Sequence, residues 1–464
     1  MRARFLLFGL LACTPLPLAG DAGDAAPIDD DSTQPDALGD DGGDADVDVD
    51  TVPTTPWAHV VVAQGDMSDV VVDPLTRHVI GAASSFANST QTFILAAYDA
   101  TGVPLWNKSA QPGTATDVAV DAAGNVYVIG STQGFDLGGG PLGAGAFCAK
   151  FDPSGVFQWQ YGPLSATNLE RVRVAPNGTV VLTGELAGSE SYGGGTVTST
   201  GSTDAVAVAL DSSGQYVAAQ HWGTAGAEMF VLALAVDSTS AVYLAGTFQN
   251  SIDFGGGAMT AAPGYDGFIA KLSTAFAYEA QTHFQSTASY PTALAVDADD
   301  DLLLGTDSYN AMSLGGASVP APSASNGGIV LAKLDSSLAD LWFRQFVGTV
   351  AIGIHGVGAT SDGALVATGY YQGTVDFGSG ALPAAAVSSA FAAELDSNGD
   401  GVAAVGRGQG DPSVSTNGDA IEWIQDEDVV WAGSCMGTTT LSGLPPLTCS
   451  SSTTDAVIAR FQLH

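Results

Sequence analysis

The chain has 464 residues, 45% of them hydrophobic, with 59 glycines and only 12 Lys plus Arg against 49 Asp plus Glu, a formal net charge of −37. So acidic a surface repels phosphate backbones and anionic headgroups, which argues against nucleic acid and electrostatic membrane docking. It leaves cationic partners open: Ca²⁺, basic peptides, amino sugars. Abundant glycine with β-branched residues and few helix formers fits many short strands joined by turns.

At the N-terminus Arg2 and Arg4 precede the apolar run Phe5 to Ala12 and then Cys13. That is a positive n-region and an apolar stretch too short to span a bilayer. Leu10-Leu11-Ala12-Cys13 resembles the lipobox of bacterial lipoproteins. The resemblance implies that residues 1–13 are a signal peptide ending at an acylated Cys13, and that Thr14, in place of Asp, directs the protein to the outer membrane. The alternative is an ordinary secretory signal cut near Ala19. Residues 14–56 hold twelve Asp, from Asp21 to Asp50, and no Lys, Arg or aromatic before Trp57. Such a tract cannot bury enough apolar surface to offset chain entropy, so it reads as a disordered tether.

From residue 57 the chain repeats itself. An alternating apolar run ending in Asp is followed by a second run ending in Gly. Copies include Val70 to Asp73, Val118 to Asp121 with Val126 to Gly130, Val172 to Val174 with Val180 to Gly184, and Leu234 to Asp237 with Val242 to Gly246. Further copies are Leu294 to Asp297, Leu365 to Gly369, and Val429 to Gly433. A third run follows, as in Ala146 to Asp152, then a turn and a fourth, as in Phe157 to Trp159. Repeats of this length predict an all-β fold, a seven-bladed β-propeller of four-stranded antiparallel blades over 57–464. The last copy stops after its third strand, and Trp57 to Val62 read as a fourth strand with nothing before it. The N-terminal strand is therefore expected to close the last blade.

These units resemble the bacterial SBBP-type β-propeller repeat. The turn Ala97 to Trp106 is also similar to PQQ-type propeller repeats, in which the Trp docks on the neighbouring blade. That resemblance assigns the docking place to Trp106, Trp159 and Trp342, more loosely to Trp222 and Trp57, with Phe284 substituting in the fourth copy.

The connections between second and third strands are long in copies three to seven, and loop excess on one face is a functional hint. They share the pattern Phe135-Asp136-Leu137-Gly138, Ser191-Tyr192-Gly193, Asp253-Phe254-Gly255 and Asp376-Phe377-Gly378. Either Asp136, Asp253 and Asp376 line a cation or sugar site, or the aromatic packs on the blade while the glycines make a reversal. Ser313-Leu314-Gly315-Gly316 is a shorter version, and recurrence in five copies favours packing.

Chemistry is sparse. His59, His78, His221, His283, His355 and His464 are scattered singly and read as structural. No nucleophile elbow, phosphate loop or His-pair metal helix occurs. Asp396, Asn398 and Asp400 resemble half of a Ca²⁺ loop, but Arg407 stands where an EF-hand needs Glu. Asp297, Asp299, Asp300 and Asp301 are a weaker version. Cys435 and Cys449 flank the last long loop and are expected to form a disulfide; Cys148 reads as a small buried hydrophobe. The expectation is an exported, lipid-anchored, monomeric and non-catalytic module that binds a protein, peptide or glycan, with no cofactor beyond possible Ca²⁺. The alternative is a quinoprotein-like dehydrogenase or a lyase with a site in the central tunnel, where His355 would meet two carboxylates.

Overall fold

A computed structural model describes residues 55–286, 288–323, 327–406, 416–425, 428–439 and 447–463. The signal peptide with Cys13, the tether up to residue 54, and His464 lie outside them.

The described chain forms seven four-stranded antiparallel sheets. Their innermost strands are Gly65–Val72, Gly113–Val120, Thr167–Val174, Met229–Val236, Ser289–Val296, Ala351–Ala359 and Thr416–Gln425, which head blades 1 to 7. In six blades the four strands follow in chain order. Blade 7 takes its outermost strand from Trp57–Val62, which pairs antiparallel with Asp455–Gln462, Trp57 opposite Arg460 and Val60 opposite Val457. The ring is sealed by its own first strand, which leaves no sheet without its fourth member.

The pattern of side chains explains the layering. Second and third strands such as Val79–Ser85 and Asp204–Leu210 are buried at every position, whereas the outer strand Pro104–Ala110 alternates toward solvent. Middle strands covered on both faces need near-continuous small or apolar residues, and this composition supplies Ala, Val and Gly. Apolar clusters fill each gap between adjacent blades. The aspartates ending the inner strands cap tight turns: Asp121 accepts from the backbone N–H of Ala123 and Asn125 at 2.9 Å each. Third-strand lysines reach the same groups, with Lys150, Lys271 and Lys333 at 3.8, 3.4 and 2.6 Å from Asp121, Asp237 and Asp297. Half of the chain's few cations are thus taken up in ion pairs with its own carboxylates, once Arg173, Arg344 and Arg460 are added.

The tryptophans dock as the resemblance implies, in four places. The indole N–H of Trp57, Trp106, Trp159 and Trp342 donates to a carbonyl in the next blade's third-to-fourth-strand turn: Ala100, Pro153, Ser212 and Ser397. Each ring lies on that turn's glycine, Gly102, Gly155, Gly214 or Gly399, where a Cβ would stand 2.6 to 2.7 Å from it. Trp222 reaches the next blade's turn only edge to face, its ring 6.4 Å from Phe276, and neither it nor Phe284 holds the register position of the other four. By strand register the equivalents of Trp159, which faces Lys150, are Ala218 facing Ala209 and Ala280 facing Lys271. The facing turns there carry Phe276 and Leu338, both buried at positive φ, in place of glycine. Large-on-small has become small-on-large, with the gap filled in both cases.

The long connections also differ from the expectation of a loop-rich face. Those of blades 3, 4, 5 and 7 form two-stranded hairpins, while those of blades 2 and 6 close with a single bridge. In blade 6 the strands lengthen to Gly373 and Ala385 and shorten the connection. Phe135, Tyr192, Phe254, Leu314 and Phe377 are buried between blades. The glycine reversals fold back onto the start of their own outer strand, with Gly139 against Phe157, Gly194 against Tyr216 and Gly256 against Tyr278. These segments are wedges sealing the outer crevices, and their tips leave the face from which they spring.

The central channel and its mouth as candidate functional site

Every inner strand carries one extra residue at the same level: Ser68, Thr116, Glu170, Leu232, Thr292, His355 and Asp419. A bulge leaves local backbone groups without ladder partners. The neighbouring blade supplies them. Ser68 Oγ donates to the carbonyl of Ala115 at 2.8 Å, Thr292 Oγ1 to that of Ile354 at 2.9 Å, and His355 Nδ1 to that of Gly418 at 2.9 Å. One position later, Asp117 Oδ2 accepts from the N–H of Val172 at 2.7 Å. His355 therefore does in blade 6 what Ser68 and Thr292 do elsewhere. Because a carbonyl only accepts, its Nδ1 carries the proton.

The channel wall is uneven. After the bulge, blades 1 to 3 place Asp69, Asp117 and Arg171, where blades 4 to 7 have Ala233, Ala293, Gly356 and Ala420. Arg173 lies 2.9 Å from Asp117 and 4.0 Å from Asp69. Burial, the Asp117 charge and the Asp117 hydrogen bond together push the Asp69 carboxyl well up. Burial pushes Glu422 to about 7, despite the lowering charge of Arg173. His355 Nδ1 stands 3.7 Å from Asp419, so the tunnel brings the histidine near one carboxylate. The space among these groups is about 60 Å³, room for a few waters and too small for a sugar or a quinone.

The mouth is different. On the face where inner strands begin, the register pairs Asn168 with Glu185, Phe230 with Thr247, Tyr290 with Asp307 and Gly353 with Tyr370. Blades 1, 2, 4 and 7 put hydroxyls at the second of these positions (Ser84, Ser131, Thr247, Ser434), so Glu185, Asp307 and Tyr370 are departures from the repeat. Tyr265 donates its hydroxyl to Glu228 and packs on Phe230 with ring centroids 6.0 Å apart. Tyr290 and Tyr309 meet edge to face at 6.2 Å, and Tyr370 lies 5.6 Å from His355. Burial and the charges of Glu170 and Glu228 raise Glu185 to about 7. Burial raises Asp307 to about 7 even though the Ile354 N–H holds it.

The residues singled out from sequence have other partners. Asp136, Asp253 and Asp376 each accept two backbone N–H bonds inside their own loop, from Gly138 and Gly140, Gly255 and Gly257, and Gly378 and Gly380. They lie in three different blades and cap turns. Asp396 Oδ1 accepts from the N–H of Asn398 and Asp400, while Arg344 binds the Asn398 carbonyl and the Asp400 carboxylate, both at 2.9 Å. A guanidinium occupies the place the Ca²⁺ reading gave to a metal. Among the described residues no group of three or more His, Cys, Asp or Glu is placed to hold a metal ion. Cys435 and Cys449 are joined as a disulfide with Cα atoms 6.1 Å apart. Cys148 is fully buried, which pushes its thiol up. His221 and His283 pair with Asp204 at 2.7 Å and Asp266 at 3.4 Å in their own blades, and His59 stacks on Tyr98.

No family model and no curated relative matches the sequence. Solved structures similar in backbone include a protein of unknown function from Bacteroides caccae, at 10% identity over 73% of this chain and 92% of that one, TM-score 0.38. Sqt1 from Chaetomium thermophilum aligns at 10% identity over 88% of this chain and all of that one, TM-score 0.45. YCF48 bound to D1 peptide aligns at 10% identity over 88% and 96%, TM-score 0.41. This chain is a seven-bladed β-propeller. The mouth of its channel carries no contiguous sequence motif; it consists of departures from the repeat. Aligning the copies on the residue two before the bulge would have exposed Tyr290, Glu185 and Asp307.

Proposed function

We propose that this protein is an exported, lipid-anchored binding module whose channel mouth receives a protein, peptide or glycan. The observation that carries the binding part is the set Glu185, Asp307 and Tyr370 of blades 3, 5 and 6, at the position where the other blades have small hydroxyl residues. Half-exposed aromatic rings beside acids, on a rigid scaffold that does not need them, are what a recognition surface requires. Because the hairpin tips fold away from this face, the ligand is met by strand ends and not by a ring of mobile loops. The lipobox-like Leu10 to Cys13 and the Asp-rich stretch behind it support the anchor, with the propeller held off an outer membrane by a solvated stalk.

A photo-crosslinking amino acid tests the reading, placed at Tyr309 on the mouth or at Val156 on the opposite end. Envelope components crosslinking at position 309 and not at 156 are expected. Equal capture at both, or capture only at 156, overturns it. For the anchor, Cys13→Ser should move the protein from the membrane fraction to the soluble one; unchanged membrane association removes the acyl chain from the account.

A further inference from the structure

The mouth has a chemical bias that a general binding surface does not need. Glu185, Glu228 and Asp307 stand there with no Lys or Arg ion-paired to them among the described residues. The nearest cations of the channel, Arg173 and Arg171, are held below, the first by Asp117 and the second by the carbonyl of Glu170. Glu185 and Glu228 lie close enough to repel each other, Asp307 stands apart from them beside Tyr290, and burial adds to the cost.

Two further features accompany the acids. Tyr265, Tyr290 and Tyr309 flank them; the Tyr265 hydroxyl is engaged by Glu228, while Tyr309, 46% exposed, is open to a guest. Thr183 is fully buried, and its hydroxyl has no hydrogen-bond partner. It lies two residues before Glu185 on the same strand, so both side chains point to the crevice between blades 3 and 4. Val181, on the same face, packs among blade 4 residues, which fixes that direction. A buried hydroxyl left unsatisfied below an unpaired carboxylate marks a polar place that the protein's own side chains do not fill.

We propose that the mouth is a receptor for an elongated organic polycation, whose ammonium or guanidinium groups meet the Glu185–Glu228 pair at one end and Asp307 at the other and whose carbon chain lies along Tyr265, Tyr290 and Tyr309 between them. The chemistry follows from the parts. Carboxylates without internal cations give charge-assisted hydrogen bonds, and tyrosine faces attract a cation while covering its methylenes. A metal ion is a poorer guest: the carboxylates come from separate blades, and nothing places three of them in one cage. This inference rests on the mouth being the binding face.

The cation has two sources, a lysine or arginine side chain of a peptide, or a free polyamine. Calorimetric titration of the full chain at low salt with spermidine, and separately with a short Lys- and Arg-containing peptide, distinguishes them by which binds more tightly. For whichever probe binds, Glu185→Gln with Asp307→Asn should weaken affinity at least tenfold, and Tyr309→Ala severalfold. Because a chain of charge −37 attracts any cation, the control is Glu279→Gln with Asp299→Asn, the same charge change at two exposed positions away from the mouth. That pair should move affinity less than twofold. Equal weakening by both pairs, no effect of the mouth pair, or no binding of either probe overturns the inference. Where crosslinking at position 309 still captures a partner, such a failure leaves the binding face standing and removes only the ligand class.

Discussion

Trp342 of blade 5 lies flat on Gly399 of blade 6, donating its indole N–H to the carbonyl of Ser397 at 2.8 Å. The same joint between blades 3 and 4 has the sizes exchanged, Ala218 against Phe276. If the two are alternative fillings of one gap, they should interconvert. Ala218→Trp alone is expected to lose about 1–3 kcal/mol through overpacking. Phe276→Gly alone is expected to lose about 3 kcal/mol as a cavity. The double variant, which recreates the Trp-on-Gly joint, should recover most of the sum, with a coupling above about 1 kcal/mol in denaturant titrations. Additive losses would show that the joints are not equivalent.

The inner ring makes a different demand. Asp117 accepts both from the Val172 N–H and from Arg173, so its removal leaves a buried donor unpaired and Arg173 with only the more distant Asp69 as counter-charge. Asp117→Ala should cost about 3 kcal/mol, and Asp117→Asn distinctly less, because an amide still accepts the backbone bond. His355→Thr should stay within about 1 kcal/mol of the parent, since Thr292 performs the same task one blade earlier. A collapse of the His355→Thr variant, with the Asp117 variants unaffected, would mean that the bulge bonds are not what stitches the blades.

Most of the scaffold was legible in the chain. Asp73, Asp121 and Asp237 mark each inner-strand end because a tight turn needs an acceptor there, and Trp57 advertised the closing strand by its distance from Asp73. Trp222 and Phe284 lie near the right spacing but off the docking register, although Trp222 still meets Phe276 of the next blade. What fixes that place is the pairing register, with Ala218 opposite Ala209 and Ala280 opposite Lys271, and register is not written in spacing once the turns vary. The mouth escaped for a related reason. Tyr290 and Glu185 are far apart in sequence, and only the ring brings their strand ends together.

The seam can be tested through Trp57, which is 8% exposed, rests on Gly102 and sits opposite Arg460. Trp57→Ala should cost about 3–4 kcal/mol. Deleting residues 57–62 should do more than lower the melting temperature, because it bares a long edge strand, Asp455–Gln462, that invites self-association. Light scattering during thermal unfolding would show it. A monomeric deletion variant with an unchanged melting curve is incompatible with closure by the first strand.

The disposition of titrating groups predicts an acidic optimum of stability. Asp121 and Asp237 are pushed up by burial but more strongly held down by hydrogen bonds, from Asn125 to the first and Thr239 to the second. Their contribution is present above the ordinary value of 3.8 and is lost as pH falls through their lower folded values. Glu185, Asp307 and Glu422 behave oppositely. Burial raises each to about 7, so between their ordinary values near 4 and pH 7 the folded chain holds protons that the unfolded chain has released. Their contribution is complete below about pH 4 and disappears as pH rises toward 7. Stability should therefore peak near pH 4–5 and decline by a total on the order of 2–4 kcal/mol by pH 7.5, after allowance for solvent screening of half-buried groups. Glu422→Gln, which removes one such proton site without removing its volume, should flatten that decline by roughly a third in melting curves taken at a series of pH values. A parent protein that gains stability steadily from pH 5 to 7.5 would show that these carboxyls are charged in the fold, and that the channel holds counter-charges or water enough to keep them so.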